Sequence, residues 1–396
     1  MGNNRGRSRA RSAYSRPVRM RKTIYLALLA PIASALAAGY GTGQIGVYHW
    51  GGHYSQSVSQ GVAAIASLGG RVARISLSPR FYRDYNMGSD CVVGFTLAGG
   101  AQDPDVVTAL ANPGVDTIII TAYDGTSYSD CQQMRFLDPT FYTPENTAAI
   151  QQEYSDLTLY LYETYGRTHK RFIISDWEGD NSIYCGDAYQ FAVVDKMRRD
   201  CLALYQSQYG IPSPADAFQG LKQWMDARAL GIIDGRMRAR AEGIGGMRVY
   251  FAPEFNIVRA LHDRGFQSVL YDILPSAMFD YVSYSAWESI NSADPATTLS
   301  ADLDTIQDVA GTNAIIIGET GFSRAEWPGQ DVMRSSNVIS AALDWGVAYI
   351  VQWELYDTDA ADPFGLFDLQ GHPTPLASWF QSRFQPAIPT LPPLFP

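Results

Sequence analysis

Histidine and cysteine are scarce in this sequence, whose 396 residues include 5 His and 4 Cys. No H-x-H and no C-x-x-C spacing occurs, although a metal-dependent hydrolase needs several such ligands close together. The G-x-S-x-G turn of serine hydrolases is missing, and no G-x-G-x-x-G or P-loop pattern follows a predicted strand. These absences argue against a Ser–His–Asp triad, and we expect neither a metal nor any other cofactor.

Basic residues are scattered except at the amino terminus, where the first 22 residues hold eight Arg or Lys and no acid. The remaining chain keeps 22 basic residues against 40 acidic ones, a net charge of −18. The chain after residue 22 is acidic and has no cluster of basic residues, which argues against nucleic acid or an anionic membrane as a partner.

The amino-terminal segment has the parts of a secretory signal. An apolar run, Thr23–Leu36, follows the basic stretch, and the A-x-A pattern Ala35–Ala37 ends it. The run is shorter than the roughly 20 apolar residues of a membrane span, and an uncleaved anchor is the alternative interpretation. We predict that residues 1–38 are a signal peptide, so that the mature protein is secreted or periplasmic and free of the membrane.

The rest of the chain shows no internal repeat and no interdomain linker before the proline-rich tail at 385–396. From Gln44 onward, eight short β-rich runs alternate with helical stretches. The runs are Ile45–Trp50, Val72–Ser78, Thr117–Tyr123, Phe172–Asp176, Arg248–Ala252, Tyr281–Tyr284, Ala314–Gly318 and Ala348–Gln352. Runs such as Thr117–Ile120 are almost entirely apolar, which suits parallel strands covered on both faces.

Helices between these runs have recognisable ends. Thr143 and Pro144 supply a cap and a proline at the first helical position, and the segment 213–243 is long enough to predict an extra helix over one side. Eight β/α units in series predict an α/β fold with a single (β/α)8 TIM barrel over residues 39–384. A doubly wound open sheet is the alternative.

Four cysteines in an exported protein permit disulfide bonds. Cys91 and Cys131 lie in polar stretches that we place in loops after the neighbouring second and third strands, so we favour this pair. Cys201 falls inside a predicted helix, which would place it far down the barrel flank from the loop that holds Cys185. A Cys185–Cys201 bond is therefore expected to be strained, and a free, buried Cys201 is the alternative.

Carboxylates follow three of the predicted strands. Catalytic residues of such barrels lie at the carboxyl ends of strands, and Glu178, Glu254 and Glu319 occupy these positions in a chain with few glutamates. Carboxylates in a cleft are costly unless they are paired or used. These three are therefore candidates for catalysis, and a salt-bridged or helix-capping glutamate is the ordinary alternative for each.

Several strand-end motifs resemble those of the retaining β-glycosidases grouped as clan A. The segment 316–322, IIGETGF, is similar to the seventh-strand nucleophile motif, and 172–178, FIISDWE, resembles the fourth-strand acid/base motif. Arg74, Tyr284 and Trp353 match the second-strand arginine, the sixth-strand tyrosine and the eighth-strand tryptophan of that clan. The resemblance covers residues 45–380 and indicates a divergent or unassigned family.

The resemblance implies a role for each of these residues. Glu319 would be the nucleophile, kept ionised by Arg74 and by a hydrogen bond from Tyr284. Glu178 would donate and then accept the proton, with its pKa raised by an apolar wall and by its like-charged partner. Trp353 would form the floor of the sugar site, and other tryptophans would stack on sugar faces.

One position departs from the clan pattern, because Trp177 stands where an asparagine that binds the sugar 2-hydroxyl is usual. Asn181 or Asn256 could replace that asparagine, and Glu254 is the rival of Glu178 for the acid role. The other candidates for substrate contact are aromatic or lie near strand ends, and they are Arg74, Tyr284, Trp353, Glu254, His49, Trp50, Trp177 and Trp287.

The sequence thus predicts an exported, monomeric glycoside hydrolase that cleaves a poly- or oligosaccharide by a retaining, double-displacement mechanism. Two alternatives stay open. One is a catalytically inactive barrel that binds carbohydrate, and the other is a transglycosylase or an inverting glycosidase on the same fold.

Overall fold

The computed structural model describes residues 43–51, 56–85, 87–88, 91–129, 133–205, 207 and 210–384. The predicted signal peptide and the proline-rich tail lie outside these residues, so both stay predictions. Within the described part, no helix combines the length and the apolar character needed to cross a membrane.

Eight parallel strands form the centre of the fold, as the sequence predicts. They are β1 (Ile45–Tyr48), β2 (Val72–Leu77), β3 (Thr117–Ala122), β4 (Arg171–Ser175), β5 in two parts (Arg248–Ala252 and Glu254–Phe255), β6 (Val282–Ser285), β7 (Ile315–Thr320) and β8 (Tyr349–Trp353). A two-stranded hairpin, Tyr128–Ser129 with Gln133–Met134, lies in the loop after β3.

The sheet closes through β5, which changes partner at Pro253. Its first part, Arg248–Ala252, pairs with β4, and its second part, Glu254–Phe255, pairs with β6. The other neighbours run in sequence, and β1 pairs with both β2 and β8. A sheet whose two ends share one strand is a barrel, so the TIM-barrel prediction is confirmed and the open sheet is excluded.

Helices cover the outside of the strands. They are α1 (Val58–Ser67), α2 (Phe81–Asp84), α3 (Leu97–Ala101), α4 (Pro104–Ala111), α5 (Pro144–Tyr165), α6 (Gly179–Ile183), α7 (Ala188–Val193), α8 (Asp195–Leu204), α9 (Pro214–Ala241), α10 (Trp287–Ile290), α11 (Pro295–Ala310), α12 (Asp331–Trp345) and α13 (Pro375–Phe384). Short helical turns lie at Pro139–Phe141, His262–Arg264, Val269–Ile273 and Leu274–Ser276. Only such turns connect β5 to β6.

The prediction of an extra helix within 213–243 is wrong. This segment is one 28-residue helix, α9, which packs along α5 as the barrel helix of its unit. Gly231 and Gly235 permit the close approach, because a Cβ at either position would lie within 2.6 Å of α5 atoms. The additional helices of this unit are α6 to α8, which precede α9.

Two layers of apolar side chains explain the nearly continuous apolar strands. Ile118 and Ile120 of β3 pack outward against helices, whereas Ile119 points into the barrel. The inward layer is made of Tyr48, Val72, Ile119, Ile173, Ala252, Ile316, Tyr349 and Val351. Because both faces of each strand are buried, alternation with polar residues is lost.

Cys185 and Cys201 form a disulfide with a Cα–Cα distance of 5.8 Å, which lies in the usual range. The expectation of a strained bond, or of a free Cys201, is therefore wrong. Cys201 lies on α8, which belongs to the insertion before α9 and does not run down the barrel flank. Cys91 is also disulfide-bonded, but Cys131 lies outside the described residues, so the Cys91–Cys131 pair stays a prediction.

Candidate active site

A cavity of about 1330 Å³ opens at the carboxyl ends of the strands. Residues at the carboxyl ends of all eight strands line it, and they include Trp50, Ser78, Tyr123, Glu178, Asn256, Trp287, Glu319 and Trp353. The volume exceeds the roughly 300–1,000 Å³ of common small-molecule sites. The cavity therefore has room for more than one sugar ring.

Arg74 and Glu254 occupy the barrel interior directly beneath this cavity. Arg74 donates to both oxygens of Glu254, at 2.8 and 2.9 Å, and also to the carbonyl oxygens of Gly318 and Asp176. A Cβ at Gly318 would lie 2.0 Å from Glu254 Oε2, so only glycine fits there. Neither Arg74 nor Glu254 lines the cavity, so the expected substrate contact is not seen for either one.

Glu319 is buried at the end of β7 and lines the cavity. The indole nitrogen of Trp287 donates to its Oε2 at 3.2 Å, and Arg74 Nη1 lies 3.6 Å from its Oε1. Burial raises the pKa of Glu319 to about 7, while Arg74 opposes this rise and the charge of Glu254 adds to it. Arg74 lowers the pKa of Glu319 only in part, because its guanidinium is already bound to Glu254.

Tyr284 does not contact Glu319, contrary to the sequence-based expectation. Its hydroxyl lies 2.8 Å from the Ser289 hydroxyl, and its ring stacks on Phe255 outside the barrel. Successive strand residues point to opposite faces, so Tyr284 faces the helices while its neighbours face the interior. Trp287 supplies the hydrogen bond to Glu319 that was expected from Tyr284.

Glu178 lies at the start of α6, with a left-handed backbone φ of 31°. The side-chain amide of Asn181 donates to its Oε2, and the other Asn181 amide atom, Oδ1, accepts the backbone N–H of Ala188. Burial raises the pKa of Glu178 well above its usual range, and the charges of Glu319 and Glu254 raise it further. Asn181 therefore holds the Glu178 carboxyl, and because it also lines the cavity, its predicted contact with a sugar 2-hydroxyl stays a prediction.

Ser283 and Ser285 bind a carboxylate beneath the cavity, although the sequence-based prediction named neither. The Ser283 hydroxyl donates to Glu254 Oε2 at 2.6 Å, and the Ser285 hydroxyl donates to Glu254 Oε1 at 3.4 Å. The Ser285 hydroxyl also lowers the pKa of Glu178 and that of Glu319. Two serines on either side of Tyr284 were the available signal, because one face of β6 had to be polar.

Glu354 is a further residue that the sequence reasoning missed. It follows Trp353 through a cis peptide bond and is fully buried. The backbone N–H and the hydroxyl of Thr358 donate to its Oε1, and burial raises its pKa to about 8. The predicted eighth strand ends at Gln352, two residues before Glu354, so the sequence does not assign Glu354 to the site.

Aromatic side chains form much of the cavity wall. Trp50 and Trp353 lie 5.9 Å apart between ring centroids, and Tyr48 packs edge-on against both. Trp177 and Trp287 line the same cavity. The structure therefore brings together the four tryptophans that were predicted to contact substrate.

His49 points away from the cavity, so the predicted substrate contact is wrong. Its ring is buried between Tyr85 and Tyr356, and its Nε2 contacts the carbonyl oxygens of Gln56 and Ser57. Asn256, in contrast, lines the cavity, and its Oδ1 has no hydrogen-bond partner among the described residues. No group of three or more His, Cys, Asp or Glu side chains in the described ranges is arranged to hold a metal ion.

Solved structures of β-glycosidases share this fold. The β-glycosidase BGL167 matches with a TM-score of 0.56 and 13% identity, over 89% of this chain and 99% of that one. A β-glucosidase from Thermotoga maritima in complex with glucoimidazole matches with a TM-score of 0.56 and 11% identity, over 86% and 97% of the two chains. A family 1 β-glucosidase from the same organism gives a TM-score of 0.55 and 12% identity, over 87% and 97%.

No protein-family model matches the chain, and neither does any curated protein. The similarity to the β-glycosidases confirms the predicted resemblance at the level of the barrel fold.

Proposed function

We propose that this protein is a retaining glycoside hydrolase that cleaves a poly- or oligosaccharide, with Glu319 as the nucleophile and Glu178 as the acid/base. The observation that carries the proposal is the arrangement of this pair. Two buried carboxyls line one cavity and differ in how strongly they hold a proton. Pairs of carboxyls with different proton affinities perform acid and nucleophile roles in glycosidases.

The electrostatic environment supports this assignment of roles. Arg74 lies near Glu319 and favours its ionised form. Glu178 has two carboxylates nearby and no cation among the groups that shift its pKa, so it keeps its proton to higher pH. The ionised group would attack, and the protonated group would supply the acid.

The reaction would proceed in two steps. In the first, Glu319 forms a bond to the anomeric carbon, the bond from that carbon to the leaving oxygen breaks, and Glu178 gives its proton to this oxygen. In the second, Glu178 takes a proton from water, whose oxygen attacks the anomeric carbon and releases Glu319.

Access supports Glu178 over Glu254 as the acid. Glu178 lines the cavity, whereas Glu254 lies below it and is bound by Arg74, Ser283 and Ser285. A proton donor must reach the leaving oxygen. Glu254 would instead hold Arg74 in place.

We propose a retaining rather than an inverting enzyme because the segments 172–178 and 316–322 resemble the acid/base and nucleophile motifs of retaining β-glycosidases. Retaining enzymes hold their carboxyls about 5–5.5 Å apart, whereas inverting enzymes separate them by about 6.5–9.5 Å.

Glu178 Oε1 and Glu319 Oε1 have no hydrogen-bond partner among the described residues. A barrel that only binds sugar has no need for such costly groups, which favours an enzyme over an inactive binding protein.

The cavity wall supports a carbohydrate substrate. Trp50, Trp177, Trp287 and Trp353 offer ring faces that suit stacking against sugars. We further propose that the protein is exported, since the Cys185–Cys201 disulfide suits an oxidising compartment. We also propose that it acts as a monomer. Sequencing the amino terminus of the exported protein would test cleavage near residue 38.

An activity screen against a broad set of polysaccharides and aryl glycosides tests the proposed function, with NMR of the first-formed anomer. Glu319→Gln and Glu178→Gln should abolish or strongly reduce hydrolysis while binding persists. Glu163→Gln, on the exposed face of α5, is the matched control and should retain wild-type activity. Absence of hydrolysis by the wild type, with sugar binding intact in all variants, would establish the inactive barrel instead.

A further inference from the structure

The Asn181 side-chain amide lies between the start of α7 and the Glu178 carboxyl. Its Oδ1 accepts the backbone N–H of Ala188 at 2.8 Å, and its Nδ2 donates to Glu178 Oε2. A backbone N–H can only donate, so it must face the amide oxygen and not the amide nitrogen. The bond from Ala188 therefore fixes which end of the amide faces Glu178.

The main chain of Asn181 is held by the same insertion. Its carbonyl oxygen accepts the N–H of Gly186 at 2.8 Å, and Cys185, which precedes Gly186, is bonded to Cys201 on α8. Asn181 itself lies within α6, which begins directly after Glu178. The turn from α6 to α7 thus holds both the backbone and the side chain of Asn181 against the carboxyl.

The two oxygens of the Glu178 carboxyl differ in their surroundings. Oε2 accepts the Asn181 amide, whereas Oε1 has no hydrogen-bond partner among the described residues. In a protonated carboxyl, one oxygen carries the hydrogen and the other is a carbonyl oxygen, which is the better acceptor. An amide N–H directed at Oε2 therefore favours the form in which Oε2 is the carbonyl oxygen and Oε1 carries the proton.

A reversed amide would have the opposite effect. Asn181 Oδ1 could then accept the proton of Glu178 and compete for it with the leaving oxygen of the substrate. With the amide held by Ala188, only a donor faces the carboxyl. The same N–H would stabilise the charge on Oε2 after the proton has left, while Oε1 takes the next proton from water.

We propose that Asn181 is a positioning residue that keeps the transferable proton of Glu178 on Oε1. The inference rests on the proposed role of Glu178 as the acid/base. It requires no bond between Asn181 and the sugar, so its effect must reach the reaction through Glu178. A bond from Asn181 to a sugar hydroxyl is the competing role, which the experiment must distinguish.

Aryl glycosides with leaving groups of different acidity test the proposal. A phenol must be protonated as it leaves, whereas the far more acidic 2,4-dinitrophenol leaves without an acid. In Asn181→Ala, kcat/KM should therefore fall by about tenfold or more for the phenyl glycoside and stay close to wild type for the dinitrophenyl glycoside. An equal fall for both would show that Asn181 binds the sugar, and would overturn the proposal.

Asn181→Asp separates positioning from support of the fold. It keeps the size of the side chain and an oxygen for the Ala188 N–H, but it places an acceptor against Glu178. Cleavage of the phenyl glycoside should fall at least as far as in Asn181→Ala, and wild-type rates would overturn the proposal. Asn146→Ala is the matched control, because Asn146 Nδ2 donates to the carbonyl oxygen of Phe141 at 2.8 Å away from the cavity. Both glycosides should be cleaved by this variant at wild-type rates.

A substrate-free measurement separates this proposal from the proposed function. The C=O stretch of protonated Glu178, assigned in infrared difference spectra with Glu178→Gln, reports hydrogen bonding to its carbonyl oxygen. It should move to higher wavenumber in Asn181→Ala and stay in place in Asn146→Ala. This shift supports the proposal even if no glycoside is hydrolysed, in which case only the proposed function fails. An unmoved band in Asn181→Ala overturns the proposal whether or not the protein is an active enzyme.

Discussion

Arg74 donates to both carboxylate oxygens of Glu254, and both side chains are completely inaccessible to solvent. Glu319, which lies 3.6 Å from the same guanidinium, shares a cation whose charge is already balanced. The Arg74–Glu254 ion pair therefore supports the site from below and carries no net charge. It joins five strands, β2 and β5 through the pair itself and β3, β4 and β7 because Arg74 also binds Thr121 and the carbonyl oxygens of Asp176 and Gly318.

Breaking this pair should destabilise the protein strongly. Glu254→Gln leaves a buried, uncompensated Arg74, and removal of one partner of a buried pair costs about 3–5 kcal/mol. Urea unfolding followed by tryptophan fluorescence would measure the loss. Asp116→Asn is the control, since it breaks the exposed ion pair with Arg71 and should cost less than about 1 kcal/mol. Equal losses in the two variants would contradict a central role for the buried pair.

The pH profile of hydrolysis should be bell-shaped, with its optimum at neutral to alkaline pH. Activity requires ionised Glu319, whose pKa burial raises to about 7, so the acidic limb should rise as the pH approaches 7. Activity also requires protonated Glu178, whose pKa is raised well above its usual range, so the alkaline limb should fall beyond neutral pH. Measurement of kcat/KM from pH 4 to 10 would check this, and an optimum below about pH 5 would refute the assignment.

Trp287 should perform the role that the sequence suggested for Tyr284. Trp287→Phe removes the N–H that donates to Glu319, so the acidic limb should move to higher pH and kcat/KM should fall by about tenfold or more. Tyr284→Phe removes a hydroxyl bonded to Ser289, so it should cost about 1 kcal/mol of stability without moving either limb. A shifted limb in Tyr284→Phe would restore the original expectation.

The disulfide between Cys185 and Cys201 should stabilise the insertion of α6 to α8. It spans 16 residues of sequence, and closing a loop of this size contributes about 3 kcal/mol in the chain-entropy model. The double variant Cys185→Ser, Cys201→Ser should therefore melt at a lower temperature in calorimetry. Limited proteolysis should cut between these positions faster than in the wild type, while cleavage elsewhere stays at the wild-type rate.

Much of the fold could be predicted from sequence, because strand identity depends on local composition. Runs such as Thr117–Ile120 are apolar on both faces, which only a covered parallel strand allows, and all eight predicted strands are present. The boundaries moved by one or two residues. The misplaced extra helix and the Cys201 error share one cause: the helix that holds Cys201 was expected to run down the barrel flank and 213–243 to be an addition, whereas α9 is the barrel helix and α8 belongs to the insertion.

The sequence by itself determined which residues stand at strand ends, and thus that Glu178 and Glu319 come to one end of the barrel. Tertiary structure alone decided the contacts of these residues. The pleating of β6 turned Tyr284 outward and Ser285 inward. In the barrel interior, Arg74 lies closer to Glu254 than to Glu319. These outcomes depend on register and side-chain direction between strands distant in sequence, which local composition does not encode.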